Sequence, residues 1–169
     1  MDEPRSGCPI NAAVEALGDH WSLIVVRDVI FGDRRYFREL QAGSMEGIAS
    51  NILADRLKKL VAAGLLTRDD AARGARARYS LTEAGIQTVP IIYALGNWGL
   101  DWRDGTRELR TRQELMRRGG HRFVDEFMDE LRVRHLGATP KRRRGPGPLE
   151  RLSAAYAEAA LSRAEAIPV

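Results

Sequence analysis

Ile48-Ala49-Ser50-Asn51-Ile52-Leu53-Ala54-Asp55-Arg56-Leu57-Lys58-Lys59-Leu60 reads as one helix with two unlike faces. Leu53, Leu57 and Leu60 recur at helical spacing and make an apolar stripe, which Ile48 and Ala49 extend backwards. The opposite face carries Asn51, Asp55 and Lys58, with Ser50 and Ala54 on its flank. Ser50 and Asn51 are short and polar, and they sit at the amino end, where helix donors lack partners. Leu, Ala, Arg and Lys are good helix formers, so propensity agrees with the pattern. Alone, this window also suits an ordinary surface helix with a solvated polar face. The residues that follow it raise the weight of a more specific reading.

Gly64 is a natural stop, because glycine reaches the left-handed region without a clash. Leu65 to Asp69 then reads as a short strand, Asp70 to Ala75 as a turn, and Arg76 to Leu81 as the returning strand. Thr82-Glu83-Ala84-Gly85 starts a further helix. Helix, strand, basic turn, strand, helix is the order of a winged helix. That fold places one helix in the DNA major groove and a hairpin on the nearby backbone.

Upstream, Ile10, Ala13, Val14 and Leu17 line one side of a short helix that ends at Gly18. Trp21 to Phe31 is rich in β-branched residues and also suits a strand. Its length and the capping residue Asp19 favour a helix, with Trp21, Ile24, Val25, Val26 and Val29 in the core. Arg34 to Leu40 opens a third short helix, with Phe37 and Leu40 pointing inwards. Gly43 to Gly47 is the turn before the helix at Ile48. Two short helices joined by such a turn make a helix-turn-helix.

Downstream, a long helix runs from Thr82 towards Asp101, and Pro90 should kink or divide it. Thr106 to Arg118 is charged and Gly119-Gly120 interrupts it. Phe123, Val124, Phe127, Met128 and Leu131 form a strongly amphipathic helix. Leu136 to Pro148 holds Lys141-Arg142-Arg143-Arg144 between prolines and glycines and reads as a basic linker. Leu149 to Ile167 is an alanine-rich helix with Leu149, Leu152, Tyr156, Ala159 and Ala160 on one side. The expected fold is mainly α with a small β-hairpin wing. The expected division is a winged-helix domain over 1–103 and a helical C-terminal extension over 104–169, for dimerisation or effector binding.

The 169 residues, 44% hydrophobic and 30% charged, are enough for a real core. A net charge of +4 permits an anionic partner such as DNA, a value that many enzymes share. One cysteine leaves no intramolecular disulfide and fits a reducing cytoplasm. The first residues show no signal-peptide pattern, and no apolar run approaches the roughly 20 residues of a membrane helix. The expected location is therefore the cytoplasm, away from membranes.

From Cys8 to Trp98 the chain resembles the HxlR-type transcription regulators, a branch of the MarR-like winged-helix proteins. The resemblance rests on Cys8-Pro9, Gly18-Asp19-His20-Trp21, Arg35-Tyr36-Phe37-Arg38-Glu39-Leu40, Gly47-Ile48-Ala49, Leu53 to Leu60, and Arg76 to Gly85. The order and spacing of these pieces carry it, since none is specific alone. It implies a bacterial, homodimeric, DNA-binding repressor or activator. His20 stands where the family commonly has lysine, and residues after about Asp104 exceed the usual family length.

Several residues are candidates for function. Ser50, Asn51 and Lys58 are placed to reach base edges, with Ala54 and Asp55 on the same face. Asp55 repels phosphate unless it accepts a proton from a cytosine amino group or pairs with Lys58 or Lys59. Arg34, Arg35, Arg73 and Arg76 flank the motif and suit phosphates or, from the wing, the minor groove; as bland features they are solvated charges. Arg56 suits an ion pair inside the monomer. Lys141 to Arg144 is either a non-specific nucleic-acid contact or a solubilising linker.

Ile10, Val14, Ile91, Leu95, Trp98, Phe123 and Phe127 exceed what one small winged helix can bury and point to a homodimer interface. Trp98, Trp102, Phe123 and Phe127 suit a small-molecule effector pocket equally well. Cys8, the only thiol, is either a redox sensor or an inert packing residue. His20, His121 and His135 show no metal-ligand spacing. No phosphate loop, catalytic triad or cofactor motif appears, so neither an enzyme nor a cofactor is expected. The main reading is a regulator bound to double-stranded operator DNA. A winged-helix protein-interaction module without DNA is the competing class.

Overall fold

The computed structural model describes residues 6–69 and 76–165, with side chains to residue 162. It divides into two compact units, Met1–Ile86 and Gln87–Val169.

In the first unit, α1 (Pro9–Leu17), α2 (His20–Gly32), α3 (Phe37–Ala42) and α4 (Ser50–Ala62) precede a hairpin, β1 (Leu66–Asp69) and β2 (Arg78–Leu81), and a short α5 (Glu83–Ile86). The run that suited either helix or strand is the helix α2. Asp19 decides it locally: its Oδ1 accepts hydrogen bonds from the Trp21 and Ser22 amides, both at 3.0 Å. That satisfies two donors of the first turn. Val25, Val26, Val29 and Ile30 then point inwards with Leu40, Leu53, Leu57, Leu60, Leu66, Leu81 and Ile86. Trp21 and Ile24, expected in the core, are only half-buried, and Ala49 is exposed although it continues the apolar stripe of α4 in sequence.

Gly64 ends α4 with φ +70°. The Leu65 amide reaches back to the Leu60 carbonyl at 3.0 Å, a closure that only a left-handed residue permits cheaply. The chain turns directly into the hairpin, whose register pairs Leu66 with Leu81 and Asp69 with Arg78. The Thr82 hydroxyl donates to the Gly64 carbonyl at 2.6 Å and accepts from the Gly85 amide at 3.0 Å. One side chain thus ties the hairpin's exit to the end of α4.

The second unit holds α6 (Val89–Trp102), α7 (Arg107–Leu136) and α8 (Pro148–Glu165). Pro90 does divide the long helix expected from Thr82: α5 stops at Ile86 and α6 starts afresh, with the proline in its first turn, where a missing N–H costs little. Gly120 breaks α7 with φ +56° and ψ −152°, a conformation outside the helix that glycine alone adopts readily. Before that break α7 meets α6 through a polar seam. The Gln113 amide donates to Asn97 at 3.0 Å, Arg117 donates to the Asn97 carbonyl at 2.6 Å, and Arg117 pairs with Asp101 at 2.9 Å. Arg110 donates to the Leu100 and Arg103 carbonyls at the end of α6.

After the break the seam is apolar. Phe123, Val124, Phe127, Met128 and Leu131 are buried, as are Leu149, Leu152 and Ala159 of the adjacent α8. This corrects an expectation. Phe123 and Phe127, at 2% and 0% exposure, are core residues of their own unit and not available to a second copy. The amphipathic face they belong to is covered by α8 of the same chain. Tyr156, expected on the inner side of α8, is exposed, with the Arg112 guanidinium 5.9 Å from its ring centre. No helix among the described residues is long and apolar enough to cross a membrane.

Candidate nucleic-acid interface

α4 presents one apolar and one polar face because Leu53, Leu57 and Leu60 take the buried side. α2, α3 and β1 pack against it. Ser50, Asn51, Asp55, Lys58 and Lys59 are exposed on the other side, and Ala54 is half-buried between them. The turn that leads into α4 is tightly held. Arg27 of α2 grips Glu46 through two hydrogen bonds, of 2.6 and 2.8 Å, and also pairs with the buried Asp28 at 2.7 Å. The Arg27 hydrogen bond holds the Glu46 carboxyl below its ordinary pKa. Ser44 accepts from the Ile48 amide at 3.2 Å. The entry angle of α4 is therefore fixed by charged contacts to α2.

Asp55 is neutralised within its own helix. It lies 3.1 Å from Arg56 and 3.6 Å from Lys59. Arg56 also reaches Asp19 at 3.2 Å, so it braces α4 against the start of α2 as an internal pair. Burial alone would raise the Asp19 pKa, but the Ser22 hydrogen bonds and the Arg56 charge bring it below the ordinary value. Of the cations on this face, Lys58 has no ion pair among the described residues.

The four flanking arginines do not share one role. Arg34 is half-buried and pairs with Asp28 at 3.3 Å. Arg35 is 6% exposed. Its guanidinium donates to the Tyr79 carbonyl at 3.2 Å and to the Ser80 hydroxyl, and its backbone carbonyl accepts from the Tyr79 amide at 2.8 Å. Arg35 thus stitches the loop before α3 to β2, and the expectation that it holds a phosphate is withdrawn. Burial, with the nearby charge of Arg78, lowers its pKa. Arg76 is exposed, and Arg73 lies outside the described residues.

Exposed cations that the sequence reading of this site did not name include Arg38 on α3, Arg68 on β1 and Arg78 on β2. For Arg78 a signal existed. Tyr79 and Leu81 are the apolar residues of the strand, so its alternation sends Arg78 outwards.

The HxlR-like helix-turn-helix family profile matches residues 16–107, more than half of the chain. The chain belongs to the HxlR-like helix-turn-helix family. The family's members are regulators of transcription, and the fold of this HxlR-like protein is that of a mainly helical winged helix-turn-helix. The HTH-type transcriptional regulator sll1512 of Synechocystis is 34% identical over 96 residues, 56% of this chain and 70% of that one. YvaP of Bacillus subtilis, described in the same words, is 31% identical over 99 residues, 57% of this chain and 90% of that one. Among solved structures, PA1607, a candidate transcription factor, superposes with TM-score 0.55 at 33% identity, over 62% of this chain and 72% of that one. The redox regulator HypR in its reduced form superposes with TM-score 0.51 at 27% identity, over 57% and 95%.

The remaining candidates fall into two exposed apolar faces. Ile10 and Val14 stand out from α1 at 75% and 57% exposure. On α6, Pro90, Ile91, Ala94, Leu95 and Trp98 line an open apolar depression of about 570 Å³. Cys8 is exposed at the amino end of α1. Among the described residues no group of three His, Cys, Asp or Glu side chains is placed to hold a metal ion.

Proposed function

We propose that this protein is a sequence-specific DNA-binding regulator that acts as a homodimer, with α4 in the major groove and the hairpin on the backbone or in the minor groove. The observation that carries this is the outer face of α4. It is solvent-exposed, its one acid is already paired, and it offers Asn51 and Lys58 to a partner. Asn is suited to a bidentate contact with adenine, and Lys to guanine or to phosphate. Ser50 and Ala54 border the same groove-facing strip. Arg76, Arg78 and Arg38 supply phosphate contacts beside it, and Arg34 and Arg73 are further candidates for that role.

Fluorescence anisotropy on duplex DNA from the protein's own promoter region tests the reading. Asn51→Ala and Lys58→Ala should each weaken operator binding by roughly 1–3 kcal/mol if they touch base edges. Unchanged affinity in both variants would remove α4 from the interface. Failure of the wild type to bind any duplex would leave the protein-interaction module as the better reading.

The homodimer reading rests on the two apolar faces, of α1 and of α6. The HxlR-like domain runs to about residue 103 in this reading, so that α6 belongs to it and the rest is an added extension. A small apolar effector is the alternative occupant of the α6 depression. Cys8 carries a redox role in the second reading, favoured by its exposure and by the likeness to a protein described as a redox regulator. Peroxide would then release operator DNA from the wild type and leave Cys8→Ser bound; equal release from both would dismiss the thiol.

A further inference from the structure

The chain's positive charge is unevenly placed. Met1–Ile86, the unit with the helix-turn-helix, has 12 Lys and Arg against 12 Asp and Glu. Gln87–Val169 has 15 against 11, so the whole excess of +4 lies outside the recognition unit. A neutral recognition unit gains little from long-range attraction to a phosphate backbone.

The non-helical linker between α7 and α8 is where that excess is most concentrated, and its four basic residues alternate. Lys141 pairs with Asp129 at 2.6 Å and Arg143 with Glu130 at 3.3 Å, both acids lying on α7. Glu130 also accepts from the Leu149 amide at 3.4 Å, which locks the linker's far end to the same carboxylate. The hydrogen bond from Lys141 lowers the Asp129 pKa. Arg142 lies between these two residues in sequence and Arg144 follows them. Both are exposed, and neither has an ion pair among the described residues. Pro140, Pro146 and Pro148 restrict the backbone on either side. The linker is therefore a strap tied to α7 through Lys141 and Arg143, with Arg142 and Arg144 exposed.

We infer that Arg142 and Arg144 form a second phosphate-binding surface for duplex DNA, built on the extension and separate from the helix-turn-helix. The two clamped residues lower the ordering that a free loop would undergo on binding. Two guanidiniums without carboxylate partners suit the oxygens of a phosphate backbone and carry no base preference. The inference rests on the DNA-binding reading proposed above.

The test is the salt dependence of operator binding between 50 and 200 mM, for the full chain, for Arg142→Gln/Arg144→Gln, and for Arg107→Gln/Arg118→Gln. Arg107 and Arg118 are exposed on α7 without an ion pair among the described residues, so the last variant removes the same charge elsewhere on the unit. Each lost phosphate contact lowers the slope of log K against log salt by about 0.9. The strap variant should lose about 1.8 per protomer, while the control keeps the wild-type slope. An unchanged slope in the strap variant, or an equal loss in both variants, overturns the strap and leaves the operator reading standing. A wild type that binds no duplex overturns both.

Discussion

Asp19 shows how much one side chain settles in this chain. It caps α2, accepts from the Ser22 hydroxyl and pairs with Arg56 of α4. Asp19→Ala should destabilise the protein by about 1 kcal/mol, the usual cost of a lost helix cap. The effect should depend on pH with a definite sign. The folded-state pKa of Asp19 is depressed, so its stabilisation is full above the unfolded value near 3.9 and is lost as pH falls through the folded value. Thermal unfolding at pH 7 should therefore separate wild type from variant, and the gap should narrow as pH falls below the unfolded value. A gap of equal size at pH 3 would mean that the carboxylate is not the stabilising species. Arg35 carries the opposite lesson. Its charge is plain in the sequence, but its burial follows from the pairing of its own backbone with Tyr79, 44 residues away. No local pattern announces such a contact, and so a structural arginine passed for a phosphate ligand.

Among the elements, α4 was legible because its stripe and its glycine stop are both local. The hairpin followed from the spacing of Gly64, the polar turn and the returning apolar strand. α6 was legible through Pro90. What the sequence could not separate was an apolar face covered by the same chain from one left open. Phe123 and Phe127 meet α8, whereas Ile91, Leu95 and Trp98 have the same character and stay exposed. The decision depended on where the linker returns α8, which periodicity does not encode. Gly120 was visible as an interruption, and its left-handed φ makes a sharper statement. A side chain there would meet no atom within 4 Å, so only backbone strain opposes it. Gly120→Ala should cost about 1–3 kcal/mol, measurable by urea unfolding. A neutral result would mean that α7 straightens without loss.

At the level of the whole molecule, the open face of α6 is the test of assembly. Leu95 is 49% exposed and Trp98 51% exposed in the single chain. Leu95→Glu therefore places a charge where the monomer is already wet and should leave its folding intact. In a two-fold dimer the same charge meets its copy in an apolar seam, and burying it unpaired costs several kcal/mol. Sedimentation should show a dimer for the wild type at micromolar concentration and a monomer for Leu95→Glu. A wild type that sediments as a compact monomer removes the dimer. A variant that remains dimeric moves the interface away from α6.

The break at Gly120 also parts two kinds of cohesion along α7, and a single co-solute will act on them in opposite senses. Ammonium sulfate is excluded from apolar surface and tightens burial, so it favours the grip of Phe123, Phe127 and Leu131 on α8. The same ions shorten the reach of exposed charges and loosen the Arg117–Asp101 contact to α6. Raising sulfate should thus stiffen the carboxyl half of α7 while it frees the amino half, and Trp98 and Trp102 on α6 are the fluorophores placed to report the slackening.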